Sequence, residues 1–284
     1  MNPYIDLVRA PAALTVLGDT VAGAAASGRP LAGRRLLLPL SSVALYWSGM
    51  ALNDWSDRRL DAAERPERPI PSGQISPNAA LATATALSAV GLGIAAWAGG
   101  RDALKVAGLL AAAVWSYDTV LKSTPAGPAA MAACRGLDVL LGAGQARAKT
   151  ALPAAAAMAC HTFAVTSLSR GEVNGGSVAS AHAAFGGTIA AALTAVGGPA
   201  RSWRHRAAAA VGASGYAAFV GRAQLAAASD PGAGTVRQAT KAGIHGMVPL
   251  QSALAVRGGS TLAAAVVAMA LPLARRLSRK VSPT

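Results

Sequence analysis

Acidic and aromatic residues are scarce in this chain. Asp and Glu together number twelve among 284 residues, against 26 Lys and Arg, and Phe, Trp and Tyr make up only 4%. The formal net charge of +14 would suit a nucleic-acid partner, but the basic residues are scattered and the few aromatic residues offer no platform on which bases could stack. We therefore expect no nucleic-acid partner, and we assign the basic residues to membrane surfaces.

Metal-binding patterns built from cysteine or histidine are also missing. The two cysteines, Cys134 and Cys160, lie in apolar runs without metal-ligand spacing, which is typical of small core residues. The histidines are far apart and form no His-x-x-x-His pair, so we expect no metal bound through them; they are His161, His182, His205 and His245.

Long apolar runs recur along the whole chain. Hydrophobic residues make up 53% of the sequence and the mean hydropathy is +0.39. Runs of about 17–22 residues, each long enough to cross about 30 Å of hydrocarbon, alternate with short charged breaks. A soluble Ala-rich protein would match this average but not the recurrence. The sequence predicts one domain, 1–284, that is an all-α polytopic transmembrane bundle of about nine helices around a central cavity.

The predicted spans number nine or ten. No cleavable signal peptide is apparent, so the first apolar run is expected to remain as a membrane helix. The spans are expected at about 10–26, 36–61, 77–98, 103–121, 128–146, 151–168, 179–197, 206–227 and 260–276. The segment 236–256 is either a further span or a tilted helix within the membrane, because Lys241, His245, Pro249 and Gln251 interrupt it.

The acids are concentrated in one stretch, since five of the twelve fall between residues 53 and 73. If the helix entering from residue 36 continues to Asp61, it stacks Asn53, Asp54, Asp57 and Asp61 on one face. Such oxygen ligands suit Mg²⁺, which commonly combines one or two carboxylates with substrate phosphates. A merely solvated loop would need neither this spacing nor the prolines that follow it.

The loop after this helix carries cations. Pro66, Pro69 and Pro71 end the helix and fix the backbone, which leaves Arg65 and Arg68 in an ordered loop where they can reach phosphate oxygens. The breaks after the second, fourth and sixth spans must share one side of the membrane. The acidic stretch is therefore expected to lie beside two other polar helix ends, Tyr117 with Lys122 and Arg170 with Glu172.

Three charged residues are predicted at membrane depth. Asp19 either faces a polar interior or serves helix packing by a hydrogen bond, because an isolated charge there is costly. Arg135 and Asp138 are three residues apart on one helix and close enough to pair, in a structural ion pair or in a functional site. Trp47 lies seven residues before Asp54, so its indole is expected below the acidic face.

The motif Asn53-Asp54-x-x-Asp57-x-x-x-Asp61, followed by Arg68-Pro69-Ile70-Pro71-Ser72-Gly73, resembles the first Asp-rich motif of the UbiA superfamily of intramembrane prenyltransferases. The resemblance extends to the helix end Tyr117…Lys122. It implies a helical bundle with a central cavity under a polar cap, two Mg²⁺ ions, and transfer of an isoprenyl group from its diphosphate to a lipophilic acceptor, aromatic acceptors included. The second motif departs from the family's paired aspartates, because the chain has Ser169-Arg170-Gly171-Glu172 there.

Residue roles follow from this resemblance. The expected metal ligands are Asn53, Asp54, Asp57 and Asp61, with Glu172 holding a second Mg²⁺ alone unless Arg170 takes over its charge. The expected catalytic residues are Asp57, Asp61, Lys122 and Glu172, and the expected substrate-binding residues are Asp19, Trp47, Arg68, Tyr117, Lys122, Arg135 and Arg170. Trp47, Trp115 and Tyr117 are expected to stabilise an allylic cation by cation–π contact.

Two other functions use the same features. Phosphoribosyl transfer to a polyprenyl phosphate exchanges the roles of the lipid and the soluble substrate, and a lipid-binding or transport protein would use Asp19, Arg135 and Asp138 at membrane depth. The positive-inside count does not decide the orientation. We expect the cytoplasmic membrane, with the acidic motif facing the cytoplasm, because soluble diphosphates and Mg²⁺ are found there.

Overall fold

The computed structural model describes residues 2–277, and all regular structure within that range is helical. A short helix precedes nine longer ones, which agrees with the predicted bundle. The helices are α1 Pro3–Leu7, α2 Leu17–Ala26, α3 Leu38–Glu64, α4 Pro77–Ser116, α5 Gly127–Ala143, α6 Ala148–Ser169, α7 Val178–Gly197, α8 Trp203–Ser229, α9 Ala233–Arg257 and α10 Thr261–Leu277.

The first predicted span is a shorter α-helix than expected. Residues Ala10–Thr15 form a 3-10 helix, and α2 begins only at Leu17. Arg9 precedes this segment in the left-handed region, with φ 46°. From this turn the guanidinium of Arg9 donates to Asp54, 45 residues away in sequence, at 2.8 Å.

Helix α4 is a hairpin of two arms, as the predicted spans 77–98 and 103–121 require. Ser76 caps its first turn by accepting a hydrogen bond from the Ala79 amide. Gly100 interrupts the helix with φ 69° and ψ −159°, a conformation that favours glycine. The Trp115 indole then donates to Ser88 Oγ at 3.0 Å, whereas a straight helix would separate these residues by about 40 Å.

Small residues let α2 and α5 pack backbone to backbone. A Cβ on Gly23 would lie 1.7 Å from the Val139 carbonyl oxygen, and one on Gly142 would lie 1.9 Å from that of Thr20. Close approach through glycine is typical of membrane helices, whose association depends on packing. This contact fixes α2 at the centre of the bundle, where it also touches α6 and α9.

Four helical stretches of the described chain are long and apolar enough to cross a membrane. The longest, Pro77–Leu121, contains both arms of α4. The four stretches are Gly33–Glu64, Pro77–Leu121, Gln145–Ser169 and Val178–Gly197.

Candidate active site

Buried carboxylates at the end of α3 bind one arginine from before α2 and one from the loop that follows α3. Asp54 Oδ1 accepts from Arg9 at 2.8 Å and from Arg68 at 2.9 Å, and Arg68 also donates to Asp61 Oδ2 at 3.0 Å. Asp54 and Asp61 are only 3% and 2% exposed. Buried charges need such partners, so these two aspartates hold Arg9 and Arg68 in place.

Asp57 has different surroundings, although it lies on the same helix. Its carboxylate is 2.7 Å from the ammonium of Lys122, and its side chain remains 28% exposed. One turn earlier, the Asn53 amide donates to Asp118 Oδ1 at 3.2 Å. These contacts join the end of α3 to the π-helical turn Tyr117–Leu121 that follows α4, as the sequence predicts for Lys122.

Asp118 and Arg9 are site residues that the sequence interpretation missed. Asp118 is 3% exposed, and its backbone carbonyl also accepts from Ser56 Oγ at 2.8 Å. Its position four residues before Lys122, the spacing of neighbours on one helix face, was a usable signal. No sequence pattern identifies Arg9 as a site residue, because only the fold brings it to α3.

A cavity of about 100 Å³ opens beneath these polar groups, between α3, α4 and α5. Tyr117 and Asp118 line it together with Tyr46. Its walls are mainly apolar and include Val16, Leu45, Met50, Leu110, Val114 and Met131. The expected central cavity under a polar cap is therefore present.

Arg135 and Asp138 line the same cavity from α5, but they do not pair as expected. Arg135 donates instead to Asp19 Oδ2 at 2.7 Å, and Asp19 also accepts from Gln251 at 2.9 Å. Asp138 accepts from Ser42 Oγ at 2.6 Å. These contacts tie α2, α3, α5 and α9 together at membrane depth, so Asp19 faces a polar interior.

Neither of the two tryptophans expected near the reacting carbon is among the residues that line this cavity. Trp47 packs with Ala13, Val16 and Val43, while its neighbour Tyr46 lines the cavity. The Trp115 indole is directed to Ser88 within the α4 hairpin. Trp47 and Tyr46 are neighbours on α3, so their side chains point about 100° apart around the helix. The sequence pattern does not fix the rotation of the helix closely enough to predict which of the two lines the cavity.

The second motif forms a turn after α6. Arg170 donates to the backbone carbonyl of Thr124, next to the α4 end, so this turn shares the polar cap. Glu172 lies beside α9, where its backbone carbonyl accepts from Arg237 at 3.2 Å. Partial burial raises the pKa of Glu172 above its usual range, although Thr240 and Arg237 act in the opposite direction.

The donor set fits one magnesium ion held jointly with a phosphate ligand. Within residues 2–277, no three acidic, histidine or cysteine side chains converge in a way that would hold a metal ion by themselves. Mg²⁺ in phosphate-binding sites needs only one or two carboxylates, with water and substrate oxygens completing its shell. Asp57, Asn53 and Asp118 provide such a partial set, whereas Asp54 and Asp61 are engaged by Arg68.

Comparisons with known proteins identify a family and a fold. A sequence model of the UbiA prenyltransferase family matches residues 13–231. A digeranylgeranylglyceryl phosphate synthase from Methanopyrus kandleri is 38% identical over 130 residues, which are 44% of this chain and 46% of that protein. One from Halobacterium salinarum is 37% identical over 163 residues, 55% of each chain. The chain thus matches about half the length of these curated relatives.

Solved structures share the fold over nearly the whole chain. The apo structure of a UbiA homologue from Aeropyrum pernix K1 has a TM-score of 0.67 at 18% identity, covering 85% of this chain and 96% of that one. A structure described as giving insight into digeranylgeranylglyceryl phosphate synthase in membranes has a TM-score of 0.66, also at 18% identity, covering 90% and 97%. At this identity the likeness establishes the fold alone.

Proposed function

Because the chain belongs to the UbiA prenyltransferase family, we propose that it transfers an isoprenyl group from a prenyl diphosphate to a lipophilic acceptor, with Mg²⁺, inside the membrane. The observation that supports this most directly is the 2.7 Å contact between Lys122 and Asp57. It places a cation from the α4 end against the acidic face of α3, above an apolar cavity. A prenyl diphosphate would match this arrangement, with its charged diphosphate at the polar cap and its apolar isoprenoid chain in the cavity below.

The proposed roles divide the acidic motif into two groups. Asp57, with Asn53 and Asp118, would hold the metal ion, because the Asp57 side chain is partly exposed, at 28%, and only one lysine pairs with it. Asp54 and Asp61 would orient Arg68 towards the diphosphate instead of binding metal themselves. In this proposal Lys122 and Arg68 are the cations that contact the departing diphosphate.

The reaction begins when the allylic C–O bond breaks and its electron pair leaves with the diphosphate. When bound, Mg²⁺ supplies positive charge for that leaving group. Lys122 and Arg68 stabilise the same charge. Tyr46 and Tyr117, which line the cavity, face the carbon cation and stabilise it by about 0.5–2 kcal/mol each. The acceptor then bonds to that carbon and releases a proton.

The acceptor and the orientation also belong to this proposal. The names of the relatives describe a glyceryl phosphate carrying two geranylgeranyl groups, so a phosphorylated glycerol lipid is one acceptor to test, beside lipophilic aromatic compounds. We place the protein in the cytoplasmic membrane with the acidic motif facing the cytoplasm, where Mg²⁺ and prenyl diphosphates are available. We also infer that residues 1–284 form one domain.

Offering each donor separately tests the proposal. Purified protein in proteoliposomes would receive geranyl, farnesyl or geranylgeranyl diphosphate, or else phosphoribosyl diphosphate with a polyprenyl phosphate, each with a lipid extract as acceptor source. We expect Mg²⁺-dependent pyrophosphate release with a prenyl diphosphate only. Release with phosphoribosyl diphosphate alone would identify the other transferase, and no release with any donor would favour a non-catalytic lipid-binding protein.

A further inference from the structure

The polar cap is acidic on its α3 side and basic on the side of the second motif. Glu172 is the only acid between Asp138 and Asp230. Its backbone carbonyl accepts from Arg237 at 3.2 Å, and the charges of Arg237 and Arg65 act on its carboxylate. Arg170, two residues earlier on the same turn, is exposed and reaches the loop after Lys122. Arg237 thus contacts the same turn that carries Arg170, and Glu172 is the one acid of that turn.

A second metal ion does not fit these residues. A site for a divalent cation needs several oxygen ligands of negative or neutral character, yet Glu172 offers one half-buried carboxylate that belongs to no group of three or more acidic, histidine or cysteine side chains within residues 2–277. The nearby charges are positive, so they would repel Mg²⁺ and attract an anion. The same positions suit phosphate oxygens, which guanidinium groups bind in a bidentate manner.

We propose that Arg170 and Arg237 bind a phosphate-bearing group directly, and that the protein holds one Mg²⁺ per chain instead of two. This inference rests on the proposed function, because it concerns the ligands of the same polar cap. The phosphate belongs either to the donor diphosphate or to the head group of a phosphorylated acceptor. Both sources present the same chemistry to the two arginines.

Counting bound metal tests the first half of the inference. The detergent-purified full chain would be titrated with Mn²⁺, which reports binding by electron paramagnetic resonance, in the presence of saturating inorganic pyrophosphate. We expect one Mn²⁺ per chain. Two ions per chain of comparable affinity would overturn the inference, and this count needs no turnover.

Binding to substituted proteins tests the second half. Pyrophosphate and glycerol 1-phosphate would be titrated separately, by calorimetry, into the wild type, Arg170→Gln, Arg237→Gln and the control Arg222→Gln, an exposed arginine of α8. We expect the first two substitutions to weaken binding of at least one ligand about tenfold or more, as loss of a charged hydrogen bond does. The ligand that is weakened identifies the source of the phosphate.

Two results separate this inference from the proposed function. If Arg170→Gln and Arg237→Gln bind both ligands as well as Arg222→Gln does, the arginines hold no phosphate and the inference fails, whatever the turnover. If binding weakens as expected but no prenyl diphosphate is consumed, the phosphate site stands and the proposed transfer fails. Arg237→Lys should restore part of the affinity, because it keeps the charge but loses the bidentate geometry.

Discussion

At the scale of single residues, Asp54 and Asp57 differ in what holds them, although they lie three positions apart on α3. The Asp54 side chain is 4% exposed and accepts from two arginines, whereas that of Asp57 is 28% exposed and faces one lysine. A buried carboxylate with two cationic partners serves folding, and a half-open one is available to a ligand. The sequence pattern alone gave both residues the same role.

We therefore expect Asp54→Asn and Asp57→Asn to affect stability differently. Asp54→Asn leaves Arg9 without its counter-charge in a buried position, which costs about 3 kcal/mol. Asp57→Asn removes a partly exposed ion pair worth about 1 kcal/mol or less. The thermal unfolding midpoint in detergent, followed by circular dichroism, should fall by several degrees for the first variant and little for the second. Equal losses would contradict the division of roles.

At the scale of helices and turns, regular patterns predicted the elements, and long-range contacts decided their details. The helical face carrying Asn53, Asp57 and Asp61 and the two arms of α4 agree with the sequence interpretation. Arg135 was expected to pair with Asp138, but it binds Asp19, 116 residues away. Spacing within one helix reports neighbours on that helix only, so it cannot predict which distant side chain competes for the same arginine.

The contact between α2 and α5 makes Gly142 sensitive to substitution. A Cβ there would overlap the backbone of Thr20, so we expect Gly142→Ala to separate the helices and to cost about 1–3 kcal/mol. Gly108→Ala is the matched control, because a Cβ at Gly108 meets open space and alanine favours the helix. Thermal unfolding of the two variants should differ in sign relative to the wild type. A neutral Gly142→Ala would show that the helices are less tightly packed than described.

The turn after α6 gives a pH-dependent prediction. Burial raises the pKa of Glu172, so its ionised form is disfavoured in the folded protein, and the stability due to this group falls as pH rises through that pKa. The glutamine in Glu172→Gln cannot ionise. The thermal unfolding midpoint of this variant should therefore rise relative to that of the wild type as the pH is raised from acidic values to neutrality. If the difference between the two unfolding midpoints did not change with pH, the pKa of Glu172 would not be raised in the folded protein.

The same variant bears on the metal. Because Glu172 lies beside Arg237 of α9 and belongs to no group of three or more metal-binding side chains within residues 2–277, we expect the Mg²⁺ dependence of turnover to be unaltered in Glu172→Gln. Activity would be measured across a Mg²⁺ titration with the wild type in parallel. A weaker apparent affinity for Mg²⁺ would restore the second metal site that the family resemblance implies.

At the scale of the whole molecule, three helix ends distant in sequence form one polar cap above one cavity. The end of α3 meets the end of α4 through Asp57 and Lys122. The turn after α6 meets the loop between α4 and α5 through Arg170 and Thr124. The alternation of spans predicted this meeting, because every second break must lie on the same side of a membrane. It did not predict Arg9, whose position depends on how the chain turns before α2.

The central claim is that Asp57 holds the metal ion that stabilises the diphosphate as it leaves the prenyl group. The most direct test compares wild-type protein, Asp57→Asn and Arg222→Gln in proteoliposomes, with labelled prenyl diphosphate and Mg²⁺, by counting pyrophosphate released and lipid product formed. We predict that Asp57→Asn lowers turnover by at least about a hundredfold while Arg222→Gln does not, since a bound metal contributes several kcal/mol to charge stabilisation. A folded Asp57→Asn protein with wild-type turnover would contradict the account.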